Sequence, residues 1–598
     1  MVIGLELDGG GRVRASVIED KNSYFWDDVR GFFPDRQELG ADSFAIPYYD
    51  LLAKWNDLFR HSAGLGIVFR PSHELVEVVQ EFQRNHSVTE RNFSAEELKT
   101  KLRDAGFVRE LKEFQVENVC KLVRCNQGAT FSVPGAGKTT EALAFFFATA
   151  LPTDQLLVIS PINAFGAWDE QIVDCTGNGA LSFVRLAGGA VNVKRLLQEN
   201  HRFMIINYEG FRSVGINEPV RDYLRTHANV YVFLDESHKI KNGKSAQAEA
   251  IRLIQGYPKA KLIMSGTPMP QCSRDLIPQY NFLFPDKSVT ETDVVEKFQN
   301  VYVRTTADRL GITDIKWRRK DIPLDDVEKE LYKRMRSIVI GETGDAASTN
   351  EARYLRNLGK SVMRLMAFVS NPALIADHFA PIMPHLPEYL RHNDSKKIAY
   401  VCNRARELAK RGKKVLIWSS FVRNVELIAY RLQDVGADYI HGGVAAGDVN
   451  DPLTREGKIR RFHDSDGRMM VLVANPAAAS EGISLHKVCQ YAIYLDRSFN
   501  AAHFLQSQDR IHRLGLPKGT VPEIELVMCP GTIDEVVDVR LHGKISAMAN
   551  ALNDPSIIPS DPELLYDDDH EDGQSVDETA SGISRADIDA ILAHLRSC

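Results

Sequence analysis

The chain has 598 residues, enough for about four domains of ordinary size. Its composition is that of a globular protein, with 44% hydrophobic and 26% charged residues. No long uncharged apolar run occurs, which predicts that there is no membrane partner. Residues 1–8 contain an early acid and no basic region, so we predict that this segment is not a signal peptide. The eight cysteines match no zinc or redox spacing, which favours the cytoplasm.

The net charge of −7 is concentrated in one segment of the chain. Residues 561–578 contain nine acidic residues and no Lys or Arg, and removing those nine charges from −7 leaves +2. A near-neutral body with local basic clusters can follow a phosphate backbone. The overall charge therefore does not exclude a nucleic-acid partner.

The first part of the chain, residues 1–88, predicts a small α+β N-terminal domain. Alternating residues at 4–7 and 12–17, around a glycine-rich turn, predict a hairpin, and residues 75–82 predict a helix. The aromatic residues here allow two interpretations. They could form a stacking platform for bases, although for any single ring a place in the domain core is the commoner role.

A phosphate loop is predicted at residues 131–140, Phe-Ser-Val-Pro-Gly-Ala-Gly-Lys-Thr-Thr, after an amphipathic helix predicted over 107–123. Its glycines can take positive φ, and the backbone amides together with the helix N-terminus can hold a polyphosphate. Ser132 stands where the general pattern has Gly, and the alternative is a surface loop that contains Gly-Lys-Thr by chance. The predicted ATP-binding residues are Pro134, Gly135, Ala136, Gly137, Lys138, Thr139 and Thr140, with the Thr139 hydroxyl on magnesium.

Four hydrophobic runs follow, at residues 156–159, 203–206, 230–234 and 261–264, and helical sequence follows each of them. This alternation predicts an α/β fold whose functional residues lie at the carboxyl ends of parallel strands. The third run ends in Asp235 and Glu236. Beside a phosphate loop, Asp235 would bind magnesium and Glu236 would orient the attacking water. The alternative, an N-cap cluster for the next helix, explains the order of these motifs less well.

A second α/β unit is predicted from about Ser395, with strands at 414–418, 469–473 and 491–495 and a helix at 424–433. It ends in Arg510 and Arg513, whose spacing predicts that both lie on one helix face. Planar guanidinium groups there would stabilise the charge of phosphoryl transfer. The alternative is a solvated basic face.

Residues 235–242, Asp-Glu-Ser-His-Lys-Ile-Lys-Asn, resemble the DEAH-[KR]-[IL]-K-N signature of Swi/Snf-family helicase-like ATPases. Other segments resemble further motifs of that family in the same order: 111–115, 160–161, 207–209, 265–268, 302–306, 363–372, 480–485 and 506–513. The resemblance implies two RecA-like parallel-sheet lobes with a helical insertion. It also implies a superfamily-two DNA translocase that uses ATP and Mg²⁺.

The resemblance also implies roles for individual residues. Catalysis would fall to Lys138, Asp235 and Glu236, with Arg510 and Arg513 as arginine fingers. Further ATP-site residues would be Gln115, which reads the adenine edge, together with His238, Gly482 and Gln506. Contacts with DNA are implied for Ser160, Pro161, Asn207, Ser265, Thr267, Ser419 and Asn475.

We therefore predict six segments along the chain. They are an N-terminal accessory domain with a faint resemblance to HARP-type modules (1–88), an ATP-binding lobe (89–285), a helical insertion and connector (286–394), a helicase C-terminal lobe (395–550), an acidic linker (551–583) and a C-terminal helix (584–598). The final helix would dock on the body or, with the acidic tail, on a protein partner.

The predicted function is ATP-dependent movement along duplex or branched DNA, as a remodeller or as the motor of a repair or anti-phage defence system. One alternative is a strand-separating or annealing helicase that acts on forked DNA. Another is an ATP-gated DNA clamp that recruits a partner. The predicted location is the cytoplasm, with nucleoid association if the protein is bacterial.

Overall fold

A computed structural model describes the chain except for short segments. The segments that it leaves out are 8–11, 20–22, 32, 34–35, 48–50, 52–54, 56–57, 59–64, 87–92, 286–288, 345–350, 380–387, 389, 391–394, 465, 480–483, 518, 560–584 and 598. The chain forms two compact units. The first contains residues 1–133, 137–269 and 273–305, and the second contains 134–136, 270–272 and 306–598.

The first unit begins with a small α+β domain built on a mixed sheet. Its strands are β1 (Val2–Leu7), β2 (Arg12–Glu19), β3 (Gln37–Gly40), β4 (Ser43–Pro47) and β5 (Val68–Pro71), and its helices include α1 (Ser23–Gly31) and α2 (His73–His86). The sheet order is β3-β4-β2-β1-β5, with β1 antiparallel to β2 and parallel to β5. The predicted hairpin and helix are therefore confirmed.

The aromatic residues of this domain that the structure describes pack mainly into its core. Trp26, Phe33 and Phe44 are buried, and the rings of Trp26 and Phe44 lie 5.0 Å apart. The Trp26 indole nitrogen donates a hydrogen bond to the Ala41 carbonyl (3.0 Å). These buried rings cannot stack on bases, so for them the core interpretation is the right one.

The rest of the first unit is a seven-stranded parallel sheet with helices packed on it, in the order β12-β6-β11-β10-β7-β9-β8. Its strands are β6 (Gly128–Thr130), β7 (Gln155–Ile159), β8 (Val184–Arg185), β9 (Phe203–Ile206), β10 (Val230–Asp235), β11 (Ala260–Met264) and β12 (Tyr302–Val303). Its helices are α3 (Ala95–Asp104), α4 (Glu113–Cys125), α5 (Lys138–Thr149), α6 (Phe165–Thr176), α7 (Gly189–Gln198), α8 (Tyr208–Phe211), α9 (Val214–Thr226), α10 (Ala246–Arg252), α11 (Ile277–Leu283) and α12 (Val294–Gln299).

The core of this unit is rich in aromatic side chains. Strands β7, β9 and β11 are buried along their whole length, which explains why their residues are mainly hydrophobic, with Gln155 and Lys261 as buried polar exceptions. Helix α5 is apolar on most of its surface because it is enclosed by the core, where the ring of Phe146 meets Tyr231 edge-on at 5.1 Å. This packing fixes the start of α5, which carries the predicted phosphate loop.

Two sequence predictions differ from the structure in this unit. The helix predicted over 107–123 begins at Glu113, because the Val108 amide donates to the Cys175 carbonyl at the end of α6 (2.7 Å) and holds the chain beside that helix. Strand β12 lies inside the range predicted as helical connector, and it pairs with β6. A strand of two residues has no detectable periodicity in sequence.

The second unit contains a six-stranded parallel sheet in the order β13-β18-β17-β14-β16-β15. Its strands are β13 (Lys316–Asp321), β14 (Val415–Trp418), β15 (Ala437–Ile440), β16 (Val471–Ala474), β17 (Tyr491–Tyr494) and β18 (Glu523–Met528). Its helices are α13 (Asp326–Gly344), α14 (Glu351–Ser370), α15 (Lys396–Lys410), α16 (Val422–Arg431), α17 (Arg455–His463), α18 (Pro476–Ala479), α19 (Ala501–Gln508), α20 (Ile533–Ala551) and α21 (Arg585–Ser597). The prediction of two parallel-sheet α/β lobes is confirmed.

The last helix, α21, packs on the body of the second unit. Asp587 is fully buried, and its two carboxylate oxygens accept hydrogen bonds from Arg540 Nε (2.9 Å) and Lys544 Nζ (2.8 Å) of α20. Ile588 and Ile591 are buried beside it. The acidic residues 561–578 lie outside the described residues. Within the described part of the chain, no helix has both the length and the apolar character needed to cross a membrane.

Candidate nucleotide-binding site

The predicted phosphate loop connects the buried strand β6 to helix α5. Gly135 and Gly137 both have φ of +89°, a conformation that side chains with a Cβ rarely adopt. A Cβ atom at Gly137 would lie 2.5 Å from the side-chain nitrogen Nε2 of Gln115, so this close contact also requires glycine there. The structure thus brings Gln115 against the loop, while its predicted adenine contact stays a prediction.

Lys138 is the first residue of α5, and its ammonium group donates to the Ser132 carbonyl (2.9 Å). Thr139, the predicted magnesium ligand, is half-buried at the helix start. The Thr140 hydroxyl donates to the Gln171 side chain (2.9 Å). The predicted contact of Thr140 with the nucleotide would therefore be made by its backbone amide. The loop therefore places one cation beside the backbone amides of a helix N-terminus, which suits a polyphosphate.

Ser132 replaces the usual first glycine of the loop, and the structure gives it a role. Its side chain is fully buried and its hydroxyl oxygen accepts the Thr305 amide (3.0 Å). A glycine would leave that buried amide without this acceptor. The departure from the general pattern thus fastens the loop to the segment that follows β12.

A buried carboxyl group that sequence reasoning missed lies below the loop. Glu141, in the first turn of α5, is fully buried and accepts hydrogen bonds from Asn118 (2.7 Å) and Thr130 (2.8 Å). Burial raises the pKa of Glu141 to about 7, an effect that the two hydrogen bonds and the charge of Lys138 partly offset. The sequence signal that could have identified Glu141 is its position three residues after Lys138, one helical turn from the predicted phosphate loop.

Asp235 ends strand β10, two strands away from β6 in the sheet. Its Oδ2 accepts hydrogen bonds from the Ser160 hydroxyl (2.9 Å) and the Trp168 indole nitrogen (3.0 Å). Burial and then the neighbouring Glu236 raise the pKa of Asp235 to about 6. Both donors reach Oδ2, so Oδ1 is the oxygen that can turn toward a metal-bound water.

Glu236 has a left-handed backbone conformation, with φ of 51° and ψ of 54°. Such a conformation is costly for a residue with a Cβ and is typical of functional turns. Its Oε2 lies 3.3 Å from His238 Nδ1. Although burial acts to raise it, the pKa of Glu236 lies below its ordinary value because of the hydrogen bond and charge of His238. The pKa values of the two adjacent carboxyl groups are thus shifted in opposite directions.

His238 connects this acidic pair to the end of the neighbouring strand. Its Nδ1 lies 3.0 Å from Ser265 Oγ, and Ser265 accepts a hydrogen bond from the Thr267 amide (3.1 Å). Ser237 is fixed separately by Gln279, which also donates to the Pro268 carbonyl (2.7 Å). Gln279 was not predicted, because a glutamine in a helix carries no distinguishing pattern.

The residues predicted to touch DNA are mostly turned into the protein. Ser160, Ser265 and Ser419 are fully buried, and their hydroxyl groups are engaged with Asp235, His238 and Asp496. These hydroxyl groups have partners inside the protein, and the contact of the three serines with DNA stays a prediction. The roles of Pro161, Asn207, Thr267 and Asn475 stay predictions as well.

Asn207 and Asn475 also have internal partners. The Asn207 side chain caps α8 by accepting the Gly210 amide (3.3 Å). The Asn475 side chain donates to the carbonyls of Ser419 (3.2 Å) and Ser420 (2.9 Å). Both residues thus shape the strand ends on which they lie.

A buried polar cluster in the second unit centres on Asp496, which follows β17. One of its oxygens accepts hydrogen bonds from Ser370 and Ser419 (2.6 Å each), and the other accepts the Ser420 amide (2.6 Å). Asn424 donates to Ser370 (2.8 Å). The cluster therefore joins the end of α14 to the carboxyl end of β14.

The prediction that Arg510 and Arg513 share a helix face is wrong. Helix α19 ends at Gln508, and both arginines lie in the turns beyond it. The Arg510 carbonyl accepts the Leu485 amide (2.9 Å), and its Nε donates to the Gln506 carbonyl (2.9 Å). These contacts hold Arg510, which is 7% exposed, in the turn that follows α19. Gln506 is buried, and Gly482 lies outside the described residues.

The described residues contain no group of three or more His, Cys, Asp or Glu side chains placed to hold a metal ion. The predicted ligands of a magnesium ion at this site are Thr139 and Asp235, together with water and the phosphates of the nucleotide. That donor set of hydroxyl, carboxylate and phosphate oxygens is the one that magnesium prefers.

A parallel sheet, a glycine-containing loop between strand and helix, and an acidic pair at a neighbouring strand end define a phosphate-loop α/β protein. Residues 114–340 match the SNF2-related domain, and residues 396–515 match the helicase conserved C-terminal domain. Together these matches cover more than half of the chain. The chain belongs to the Swi/Snf family of helicase-like ATPases.

Several curated proteins are similar to this chain. One is the ISWI chromatin-remodeling complex ATPase ISW2 of Saccharomyces cerevisiae, with 23% identity over 68% of this chain and 38% of the relative. Another is the probable ATP-dependent DNA helicase CHR12 of Arabidopsis thaliana, with 22% identity over 74% and 42%. Human chromodomain-helicase-DNA-binding protein 6 is 23% identical over 64% and 15%. The chain thus spans less than half the length of these relatives.

Among solved structures, the Sulfolobus solfataricus SWI2/SNF2 ATPase core in complex with dsDNA matches 76% of this chain and 95% of its own. The identity is 18% and the TM-score is 0.32.

Proposed function

We propose that this protein is a DNA-dependent ATPase that couples ATP hydrolysis to movement along duplex DNA. The observation that carries the proposal is the pair Asp235 and Glu236, whose environments push their pKa values apart at a strand end of the phosphate-loop sheet. Two adjacent carboxyl groups whose pKa values are shifted in opposite directions suit two separate tasks, metal binding and water activation.

The proposed chemistry assigns one task to each residue. The loop amides and Lys138 hold the phosphates, with Lys138 exchanging the Ser132 carbonyl for phosphate oxygens. Thr139 and Asp235 would hold magnesium, which when bound neutralises charge on the β and γ phosphates. Glu236 orients a water molecule for attack and accepts its proton, while His238 holds the Glu236 carboxylate.

Arg510 and Arg513 are proposed to stabilise the charge that develops on the transferred phosphoryl group. A guanidinium group is permanently charged and presents paired donors to phosphate oxygens. Gln115 and Gln506 are proposed to contact the nucleotide as well, and Gly482 with them. DNA as the partner is supported by the curated relatives, whose names describe a chromatin-remodeling ATPase, a DNA helicase and a DNA-binding helicase.

We also propose that residues 1–88 form an accessory domain and that residues 286–394 form a helical insertion and connector between the motor segments 89–285 and 395–550. Strands β12 and β13, within that connector, complete the sheets of the first and second units. Residues 551–583 would be a linker and 584–598 an internal brace. The burial of Asp587 against Arg540 and Lys544 supports the brace. A role in DNA repair or in defence against foreign DNA is the proposed setting.

The deciding experiment measures ATP hydrolysis without nucleic acid and with duplex DNA, single-stranded DNA, forked DNA and RNA, for the wild-type protein and Glu236→Gln. Strong stimulation by duplex DNA that is lost in the variant supports the translocase. A preference for forks favours an annealing or strand-separating helicase. ATP-dependent retention on DNA with no hydrolysis under any condition overturns the proposal in favour of an ATP-gated clamp.

A further inference from the structure

The carboxyl group of Glu141 lies in a position from which it can hold the phosphate loop in shape. It is fully buried, and each of its oxygens accepts one hydrogen bond from a neutral donor: Oε1 from Asn118 Nδ2 (2.7 Å) and Oε2 from Thr130 Oγ1 (2.8 Å). A buried carboxyl group is costly unless such partners satisfy it. Its presence in the buried part of α5 therefore calls for a function.

The residues of this network lie on both sides of the loop and on a neighbouring helix. Thr130 is the last residue of β6, immediately before the loop, and Glu141 lies in α5, immediately after it. Asn118 lies on α4, one helical turn after Gln115, whose amide touches the loop at Gly137. One carboxyl group thus cross-links the strand, the helix after the loop, and the helix that carries Gln115.

The network continues into the loop itself. Asn118 also donates to the Thr305 hydroxyl (3.0 Å), and the Thr305 amide donates to Ser132 Oγ (3.0 Å). The Ser132 carbonyl is the group that accepts the Lys138 ammonium (2.9 Å). A chain of contacts therefore runs from Glu141 to Lys138, the residue that would receive the phosphates.

We propose that Glu141 is a positioning residue for nucleotide binding, which fixes the phosphate loop through Asn118, Thr130 and Thr305 before the nucleotide arrives. This inference rests on the proposed binding of ATP at the loop. A loop that is already held in place loses less conformational entropy when its amides close on a ligand. The contribution of Glu141 should accordingly appear in nucleotide affinity more than in the rate of the chemical step.

The chemistry of the network predicts which substitutions disturb it. Alanine at 141 removes the acceptor of one buried Asn118 N–H and the stronger of the two acceptors of the Thr130 hydroxyl. Glutamine can preserve both contacts, because its oxygen accepts from Asn118 and its amide donates to Thr130 Oγ1. The Thr130 hydroxyl can then turn to Ser132 Oγ, 3.3 Å away. Glutamine should therefore restore what alanine loses.

The test compares wild type, Glu141→Ala, Glu141→Gln and Asn118→Ala. Each is measured for equilibrium binding of a fluorescent ATP analogue with Mg²⁺, and for kcat and KM for ATP with saturating duplex DNA. Thr149→Ala serves as a matched control, since the Thr149 hydroxyl bonds the Phe145 carbonyl of its own helix (2.8 Å), away from the loop. Thermal unfolding of every variant identifies loss of folding.

We expect Glu141→Ala and Asn118→Ala each to weaken binding about tenfold and to raise KM similarly, with kcat changed about twofold or less. Glu141→Gln and the control should bind like wild type. Equal affinity of wild type and Glu141→Ala overturns the inference, and so does a loss in kcat alone. If Glu141→Ala does not fold, the other two variants decide. Wild-type affinity in Asn118→Ala, or weakened binding in Glu141→Gln, then overturns the inference. Wild-type protein that binds no nucleotide overturns the proposed function as well.

Discussion

The Nδ1 atom of His238 lies 3.0 Å from the hydroxyl oxygen of Ser265, which joins the turn after β10 to the turn after β11. The same nitrogen lies 3.3 Å from the Glu236 carboxylate. A displacement of the segment that begins at Ser265 would therefore reach Glu236 through a single imidazole ring.

Replacement of Ser265 by alanine tests this connection. The imidazole would lose one hydrogen-bond partner, so we expect kcat for ATP hydrolysis to fall about threefold to tenfold while ATP binding stays unchanged. Ser245→Ala is the control, because Ser245 caps α10 and lies outside this network. A variant that keeps full kcat would show that the contact plays no part in hydrolysis.

Glu236→Gln separates binding from hydrolysis. The amide keeps the shape of the side chain but cannot take a proton from water, so we expect kcat to fall at least about 100-fold. Binding of an ATP analogue should remain within about twofold of wild type, because Lys138 and the loop are unchanged. Hydrolysis at the wild-type rate would remove Glu236 from the proposed role of base.

Arg510 gives a prediction about geometry as well as charge. Its Nε is engaged by the Gln506 carbonyl, which orients the guanidinium plane. We expect both Arg510→Ala and Arg510→Lys to lower kcat about 100-fold, since an ammonium group cannot reproduce the planar fork. Arg468, whose side chain is 88% exposed, provides a control alanine substitution. Recovery of activity by lysine would mean that charge alone is sufficient.

Asp587 predicts a measurable acid dependence of stability. Although burial acts to raise it, the pKa of Asp587 is lowered below 3.8 by Lys544 and Arg540. The carboxylate therefore stabilises the fold fully above its ordinary pKa, and this contribution is lost as the pH falls through the lower value of the folded state.

We expect Asp587→Asn to destabilise the second unit by about 3–5 kcal/mol near neutral pH, because two buried cations lose their partner. The difference from wild type should narrow as the pH falls below 3.8. Urea unfolding across this pH range measures both effects. Asp326→Asn, a change at a fully exposed side chain of the same unit, should show neither effect. An unchanged stability in Asp587→Asn would argue against the brace.

The sequence was sufficient to predict the parallel sheets and the chemistry at their edges. Runs such as 203–206 and 230–234 are buried on both faces, so hydrophobicity alone identifies them. The phosphate loop and the acidic pair were found because their functions demand fixed residue types at fixed spacing. The residues that support them, such as Gln279 and Asn118, are polar side chains whose partners are distant in sequence.

The conformation of the arginine segment could not be predicted for a related reason. Spacing of three residues indicates a helix face only while the helix continues, and α19 stops at Gln508. What holds the Arg510 carbonyl is the amide of Leu485, which lies far away along the chain. The position at which this helix ends therefore depends on tertiary contacts, which local sequence does not reveal.

Strand β13 has a consequence for how the second unit can be produced and can fold. It comes before the long helices α13 and α14, yet it pairs along its whole length with β18, about two hundred residues later. A recombinant fragment that starts at residue 395 would leave β18 as an uncovered edge and would invite aggregation. On the ribosome, β13 must wait for almost the entire second unit to emerge, which makes completion of this sheet a late event in synthesis.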